Sequence, residues 1–166
     1  MNKQLFLFRH ADAAGRALYD TDKDRELTPH GIAQSHQMGV YLSNNFLTID
    51  AIFTSTALRA LQTATVVSEV LKLQDQHVQK EDELYDASVR TFLQYVSKID
   101  DGYNHVICVG HNPTLSYLAE YLTKEAIGEM KPAGMAVITF NVSSWTQVTE
   151  GNGELVRYID PSMLEK

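Results

Sequence analysis

At 166 residues with 44% hydrophobic content, the chain is long enough for one domain that buries roughly two thirds of its unfolded surface, and too apolar for a disordered segment. A formal net charge of −7 excludes a general nucleic-acid coat, so an anionic ligand would have to be met by positive charge gathered locally. No apolar run has the length of a membrane span or a signal-peptide core, and the single cysteine, Cys108, excludes an internal disulfide, so a cytoplasmic single-domain protein spanning 1–166 is expected.

The first element is the run Leu5-Phe6-Leu7-Phe8, predicted as a buried strand over residues 4–8, because a short apolar run bounded by charge fits a strand covered on both faces. Thr28-Pro29 then opens a helix running to about residue 44, with threonine as N-cap and proline at the first helical position. A second strand is predicted over 50–54, followed by a helix whose Ala60, Ala64, Val67 and Leu71 share one face. Ser88 caps a third helix with Val89, Phe92, Leu93 and Val96 on its apolar stripe. A third strand over 105–109 leads to Asn112-Pro113, expected to cap a fourth helix that buries Leu115, Leu118, Ala119 and Leu122. Beyond residue 134, Ala136, Ile138, Phe140 and Val142 alternate, Trp145 to Thr149 reads as extended, and Leu155 to Ile159 follows a Gly-Asn-Gly turn signal. Two or three further strands, some antiparallel, are expected there. The predicted fold class is therefore α/β: three layers, with a mostly parallel sheet and helices on both faces. The stretch from Asp20 to Glu26 reads as a solvated charged loop.

Chemistry concentrates at three predicted strand ends. Arg9-His10 follows the first strand, Arg59 lies shortly after the second, and Gly110-His111 ends the third. Open α/β sheets bind ligands at such strand ends. Two arginines can clamp phosphoryl oxygens in bidentate fashion, and a neutral histidine nitrogen can attack phosphorus if an acceptor, such as a backbone carbonyl, holds its other ring N–H. His111, just before a helix N-terminus, would donate a hydrogen bond to the phosphoryl group and add positive charge if protonated. Together these residues predict one basic, phosphate-sized pocket.

The same residues carry a resemblance. Arg9-His10, the Ser55-x-x-x-Arg59-Ala-x-Gln-Thr-Ala64 run and Gly110-His111 resemble the histidine phosphatase superfamily, whose fold is phosphoglycerate-mutase-like. Arg25-Glu26-Leu27-Thr28-x-x-Gly31, Leu84-Tyr85-Asp86-Ala87-Ser88, Gly110-His111-Asn112-Pro113 and Met130-Lys131-Pro132-Ala133-Gly134 are similar to its small SixA-type branch of phosphohistidine phosphatases. The resemblance implies that His10 is the nucleophile and that Arg9, Arg59 and His111 form the phosphate pocket. It points to Asp86 as proton donor, with Glu83 as the nearest competitor and Glu81 and Asp82 as parts of a charged turn. A donor has to carry a proton at working pH, which calls for partial burial. Ala11 stands where the superfamily usually has glycine, a variation familiar in the small branch.

Other readings are weighed beside these. Asp12 is expected to cap a loop, Tyr117 and Tyr121 to pack a helix, and His30, His36, His77 and His105 to play surface or packing roles. No metal and no cofactor are expected, since cationic neighbours disfavour a bound cation and no His-x-His or Glu-x-x-His pairing occurs. A non-catalytic phosphate-binding module would keep the arginines but would not need His10. A mutase is disfavoured because the interval between Arg59 and His111 is too short for a sizeable lid. The expected partner is a protein bearing phosphohistidine, or alternatively a small phosphomonoester, with neither nucleic acid nor membrane involved.

Overall fold

The structure, a computed structural model, describes residues 2–46 and 48–164. Strand β1 (Lys3–Arg9) is followed by helix α1 (Pro29–Asn45), strand β2 (Ala51–Thr54), helix α2 (Leu58–Leu71), and the short strand β3 (Val78–Lys80). Helix α3 (Val89–Ser97), strand β4 (His105–Gly110), helix α4 (Thr114–Thr123) and strands β5 (Met135–Phe140) and β6 (Gly153–Ile159) complete the order. The strands form one sheet in the order β3-β2-β4-β1-β5-β6. β3, β2, β4 and β1 run parallel, while β5 and β6 are antiparallel additions at one side.

The continuous apolar run of β1 follows from coverage on both faces. Leu5 and Leu7 point into a core shared with Phe92, Leu115 and Leu118 of α3 and α4. Phe6 and Phe8 point the other way, into a core with Met38 and Leu42 of α1 and Ala60, Ala64 and Val67 of α2. The predicted mostly parallel three-layer architecture is what forms. The neighbouring parallel strands β1 and β4 are followed by helices on opposite faces, so the chain parts between their C-terminal ends. This is the topological switch point at which open α/β sheets bind ligands. Arg9-His10 and His111 flank it.

Local details depart from expectation in four places. β3 carries no periodic signal in the sequence, because it has only three residues, of which Val78 and Gln79 are partly buried and Lys80 is exposed. Trp145 to Gln147 forms a 3-10 turn rather than a strand, held by a capping box between Ser144 and Gln147, and Val142 lies beyond the end of β5. Asn112 does not cap α4; its side chain donates to the Met130 carbonyl at 3.0 Å and accepts from Ser116 Oγ at 3.0 Å, tying down the loop before β5. Tyr117 and Tyr121 face outward instead of packing, with Tyr117 59% exposed. Cys108 is fully buried, as its apolar run requires. Among the described residues no helix is long and apolar enough to cross a membrane.

Candidate active site

The first strand delivers its last residue and the one after it to the crevice. Arg9 N–H donates to the Gly134 carbonyl at 2.9 Å and His10 N–H to the Gly110 carbonyl at 3.2 Å, so the β5 and β4 ends fix the backbone there. Thr28 caps α1 by accepting from Gly31 N–H at 3.0 Å, and its hydroxyl donates to Asp12 Oδ2 at 2.6 Å. Asp12 therefore braces a loop, as expected. Gly31 is required by contact: a Cβ there would stand 2.1 Å from the Asp12 carbonyl oxygen.

The Ser-x-x-x-Arg-Ala-x-Gln-Thr-Ala run acquires a physical reason at nearly every fixed position. Thr63 Oγ1 accepts from Ala11 N–H at 3.0 Å and donates to the Arg59 carbonyl at 2.8 Å, joining the loop after His10 to α2. Gln62 Oε1 accepts from Leu27 N–H at 2.7 Å. Ala60 and Ala64 are fully buried against the sheet. Ser55 and Arg59 turn toward the crevice.

Four predicted residues meet there. His10 Nδ1 lies 2.8 Å from the Ala11 carbonyl, which can only accept, so Nδ1 carries the hydrogen and Nε2 is unprotonated. Arg59 Nε donates to that Nε2 at 3.3 Å. Arg59 Nη2 is 3.4 Å from His111 Nδ1 and must be the donor, which places the His111 hydrogen on Nε2, facing Ser55 Oγ at 2.8 Å. The two imidazole centroids are 5.2 Å apart. Arg9 Nη1 donates to the Met130 carbonyl at 2.7 Å, while its Nε is buried without a hydrogen-bond partner among the described residues. A buried donor left unmet is costly and marks a place for an anion.

The electrostatics agree with the hydrogen bonding. Burial, together with the neighbouring His111, Arg59 and Arg9, pushes His10 down to about 3 despite the Ala11 carbonyl. Burial and the arginines push His111 down to about 4, partly opposed by Asp22. Both rings are thus neutral at working pH before an anion arrives. The unfolded chain takes up protons on its histidines below about pH 6.5, whereas these two resist until far lower. Folding stability contributed by the neutral rings is present above that pH and is lost as pH falls toward 4, by about 1 kcal/mol per pH unit for each histidine. Thermal melts over this range should show Tm falling with acidification, and less steeply in His10→Ala; an unchanged slope in that variant would show that His10 is not held neutral.

The acidic candidates separate. Glu83 is turned away onto Lys98, 3.0 Å from its Nζ. Asp86 lies with His111, Asn112, Pro113 and Thr114 on the wall of a small cavity beside the site. Its backbone is left-handed at φ +53°, which aspartate tolerates better than most residues. The partial burial expected of a donor is absent, since Asp86 is exposed at the tip of the turn between Leu84 and α3. Sequence reasoning missed Asp22 and Tyr85: the Asp22 carboxylate pairs with Arg59 Nη2 at 2.9 Å and accepts from Tyr85 Oη at 2.8 Å. The stretch from Asp20 to Glu26 is therefore not simply solvated. Charge density alone could not have revealed which of its acids turns inward.

Two arginines, an unmet buried donor and a neutral histidine at a switch point form a basic crevice suited to an anion. Comparison with known proteins narrows the class of protein. The sequence model of the histidine phosphatase superfamily (branch 1) matches residues 5–92. Phosphohistidine phosphatase SixA of Escherichia coli is 30% identical over 166 residues, covering 98% of this chain and 96% of that protein. The structure of the protein histidine phosphatase SixA complexed with tungstate superposes with a TM-score of 0.84 at 27% identity, covering 98% of this chain and 99% of that one. A mycobacterial glucosyl-3-phosphoglycerate phosphatase shares the fold, with a TM-score of 0.69 at 16% identity over 94% of this chain and 98% of the other. The chain belongs to the histidine phosphatase superfamily, in its SixA-type branch, and is a phosphatase with the phosphoglycerate-mutase-like fold.

Proposed function

We propose that this phosphatase removes the phosphoryl group from phosphohistidine carried on a protein, through a covalent intermediate on His10. The observation that carries the mechanism is the unprotonated Nε2 of His10, fixed by the Nδ1–H bond to the Ala11 carbonyl and accepting from Arg59 Nε, a donor that a phosphoryl oxygen takes over when substrate binds. Nε2 attacks phosphorus, forming a P–N bond as the bond to the leaving atom breaks and its electron pair departs with the leaving group. Arg9 and Arg59 neutralise the phosphoryl oxygens. His111 presents Nδ1 toward Arg59 while Ser55 holds its Nε2–H. The negative charge of a bound phosphoryl group favours a proton on that nitrogen, which then donates to a phosphoryl oxygen. Asp86, on the cavity wall beside His111, gives a proton to a basic leaving group once bound substrate covers the turn and supplies the burial that the free site lacks. Water then attacks the phosphohistidine, its proton passes to the Asp86 carboxylate, and His10 Nε2 recovers its electron pair as inorganic phosphate leaves.

The protein-borne substrate is supported by the SixA relatives and by the economy of the chain around the site. The interval between Arg59 and His111 is spent on α2, β3, α3 and β4, all in or against the sheet. No metal is needed in this reading, because the arginines supply the positive charge. The test is one panel: a phosphohistidine-bearing protein domain, p-nitrophenyl phosphate, sugar phosphates and phosphoglycerates, each assayed with and without exhaustive chelation. The phosphohistidine protein should show a much higher kcat/KM than any small metabolite, and chelation should change nothing. Equal or better efficiency on a metabolite would move the small-phosphomonoester reading to the front, and a rate restored by one divalent ion would overturn metal independence.

A further inference from the structure

Asp22 is the centre of a second hydrogen-bonded cluster that reaches into the site from outside. Its Oδ2 accepts from Arg59 Nη2 at 2.9 Å and from Tyr85 Oη at 2.8 Å, and its Oδ1 accepts from Arg25 Nη1 at 3.1 Å. Its backbone carbonyl accepts from Arg59 Nη1 at 2.8 Å. Lys23 extends the same strap: Nζ pairs with Asp82 at 2.6 Å and lies 4.7 Å from the Tyr85 ring centroid. Asp82 also accepts from the Thr56 hydroxyl at 2.6 Å, so the strap is anchored beside the start of α2, which carries Arg59.

Arg59 therefore has two working edges. The outer edge, Nη1 and Nη2, grips Asp22 twice. The inner edge, Nε and Nη2, faces His10 Nε2 at 3.3 Å and His111 Nδ1 at 3.4 Å. A guanidinium is planar, so fixing one edge fixes the direction of the other. Left alone on its long side chain, it would lose rotamer freedom each time it closed on a phosphoryl group. With Asp22 in place that ordering precedes substrate.

We propose that Asp22 is a positioning residue for phosphoryl transfer, holding the outer edge of Arg59 so that its inner edge stays aimed at the two histidines. This rests on the reading of His10 and Arg59 given above. The carboxylate is suited to the task. Its partial burial opposes ionisation, but hydrogen bonds from Tyr85, Arg25 and Arg59 hold it well below the usual carboxylate range, so it remains a fixed anion and not a proton donor. With a side chain 39% exposed, it also adds little to the core.

The experiment compares Asp22→Ala, Asp22→Asn and Tyr85→Phe with the parent in p-nitrophenyl phosphate turnover, vanadate inhibition and thermal melting. Misplacing a positioned group by about 1 Å can cost on the order of 10²-fold. Asp22→Ala should lose about 10- to 100-fold in kcat/KM and weaken vanadate inhibition, with Tm changed little. Asp22→Asn keeps an amide oxygen for Arg59 and Tyr85 and should recover most of that loss. Tyr85→Phe, which leaves the Asp22–Arg59 pair intact, should lose a few-fold in the same direction and carries the test if Asp22→Ala fails to fold. Parent-like turnover and vanadate inhibition in Asp22→Ala would overturn the proposal, as would an Asp22→Asn protein no better than Asp22→Ala. His10→Ala and Arg59→Ala in the same assay separate the two levels. If they are inactive while Asp22→Ala is normal, only the role of Asp22 fails; if they remain active, the reading of the site itself fails.

Discussion

His10→Ala should give a folded protein without measurable phosphate release. Removing the nucleophile of a covalent mechanism costs on the order of 10⁶-fold in kcat, because every later step depends on the intermediate it forms. The cost to the fold should be small by comparison. The His10 ring makes two hydrogen bonds, to the Ala11 carbonyl and from Arg59 Nε, each worth about 1 kcal/mol, and the backbone is fixed independently by the bonds of His10 N–H to Gly110 and Arg9 N–H to Gly134. Circular dichroism and thermal melting would establish that the variant is folded. In the parent, rapid acid-free quenching during turnover should trap phosphate bound through nitrogen on His10, readable by mass spectrometry or by the ³¹P resonance of a phosphoramidate. The trapped species should be labile in acid and stable in base, the reverse of a phosphoserine. Substantial turnover by a folded His10→Ala protein would sink the covalent mechanism.

The parts of the fold legible in the sequence are those where burial on both sides leaves a continuous apolar run. β1, β2 and β4 were placed to within a residue or two, and the helices between them were marked by caps and apolar stripes. Thr28 and Ser88 do accept from backbone N–H groups three residues on. Weakly buried elements escaped. β3 has no fully buried residue, and the alternation through Val142 ran past the end of β5 into a polar turn. The candidate site divides in the same way. Arg9, His10, Arg59 and His111 were legible because each sits at a fixed offset from a readable strand or helix. Asp22 was not, because it belongs to a stretch of alternating charges in which nothing local distinguishes an inward-facing acid from its neighbours Asp20 and Asp24. Only the return of that segment beneath Arg59 and Tyr85 makes the distinction, and that return is tertiary. Tyr85 was quoted as part of a motif, but its partner lies 63 residues away in the chain.

Asp86→Asn should damage hydrolysis of alkyl phosphates far more than hydrolysis of phosphohistidine. The difference lies in the leaving atom. An alkoxide is strongly basic and must receive a proton as its bond to phosphorus breaks. An imidazole leaving from a phosphohistidine already protonated on its ring departs neutral and asks little of the enzyme. General acid catalysis contributes about 10²- to 10⁴-fold where it is required, so the loss in kcat/KM on a serine-type ester should fall in that range. The loss on phosphohistidine or an activated aryl ester should be within a few-fold. Geometry favours Asp86 over its competitor: it shares a cavity wall with His111, whereas Glu83 is occupied by Lys98 on the far side of the turn. Asparagine at residue 86 suits the left-handed backbone at φ +53° as well as aspartate does, so the substitution removes the acid without straining the turn. The comparison is kcat/KM on both substrate types in parent and variant. Equal losses on both would make Asp86 a structural or substrate-positioning residue, and Glu83→Gln would then have to show the leaving-group-dependent loss for any acid in this turn to be the donor.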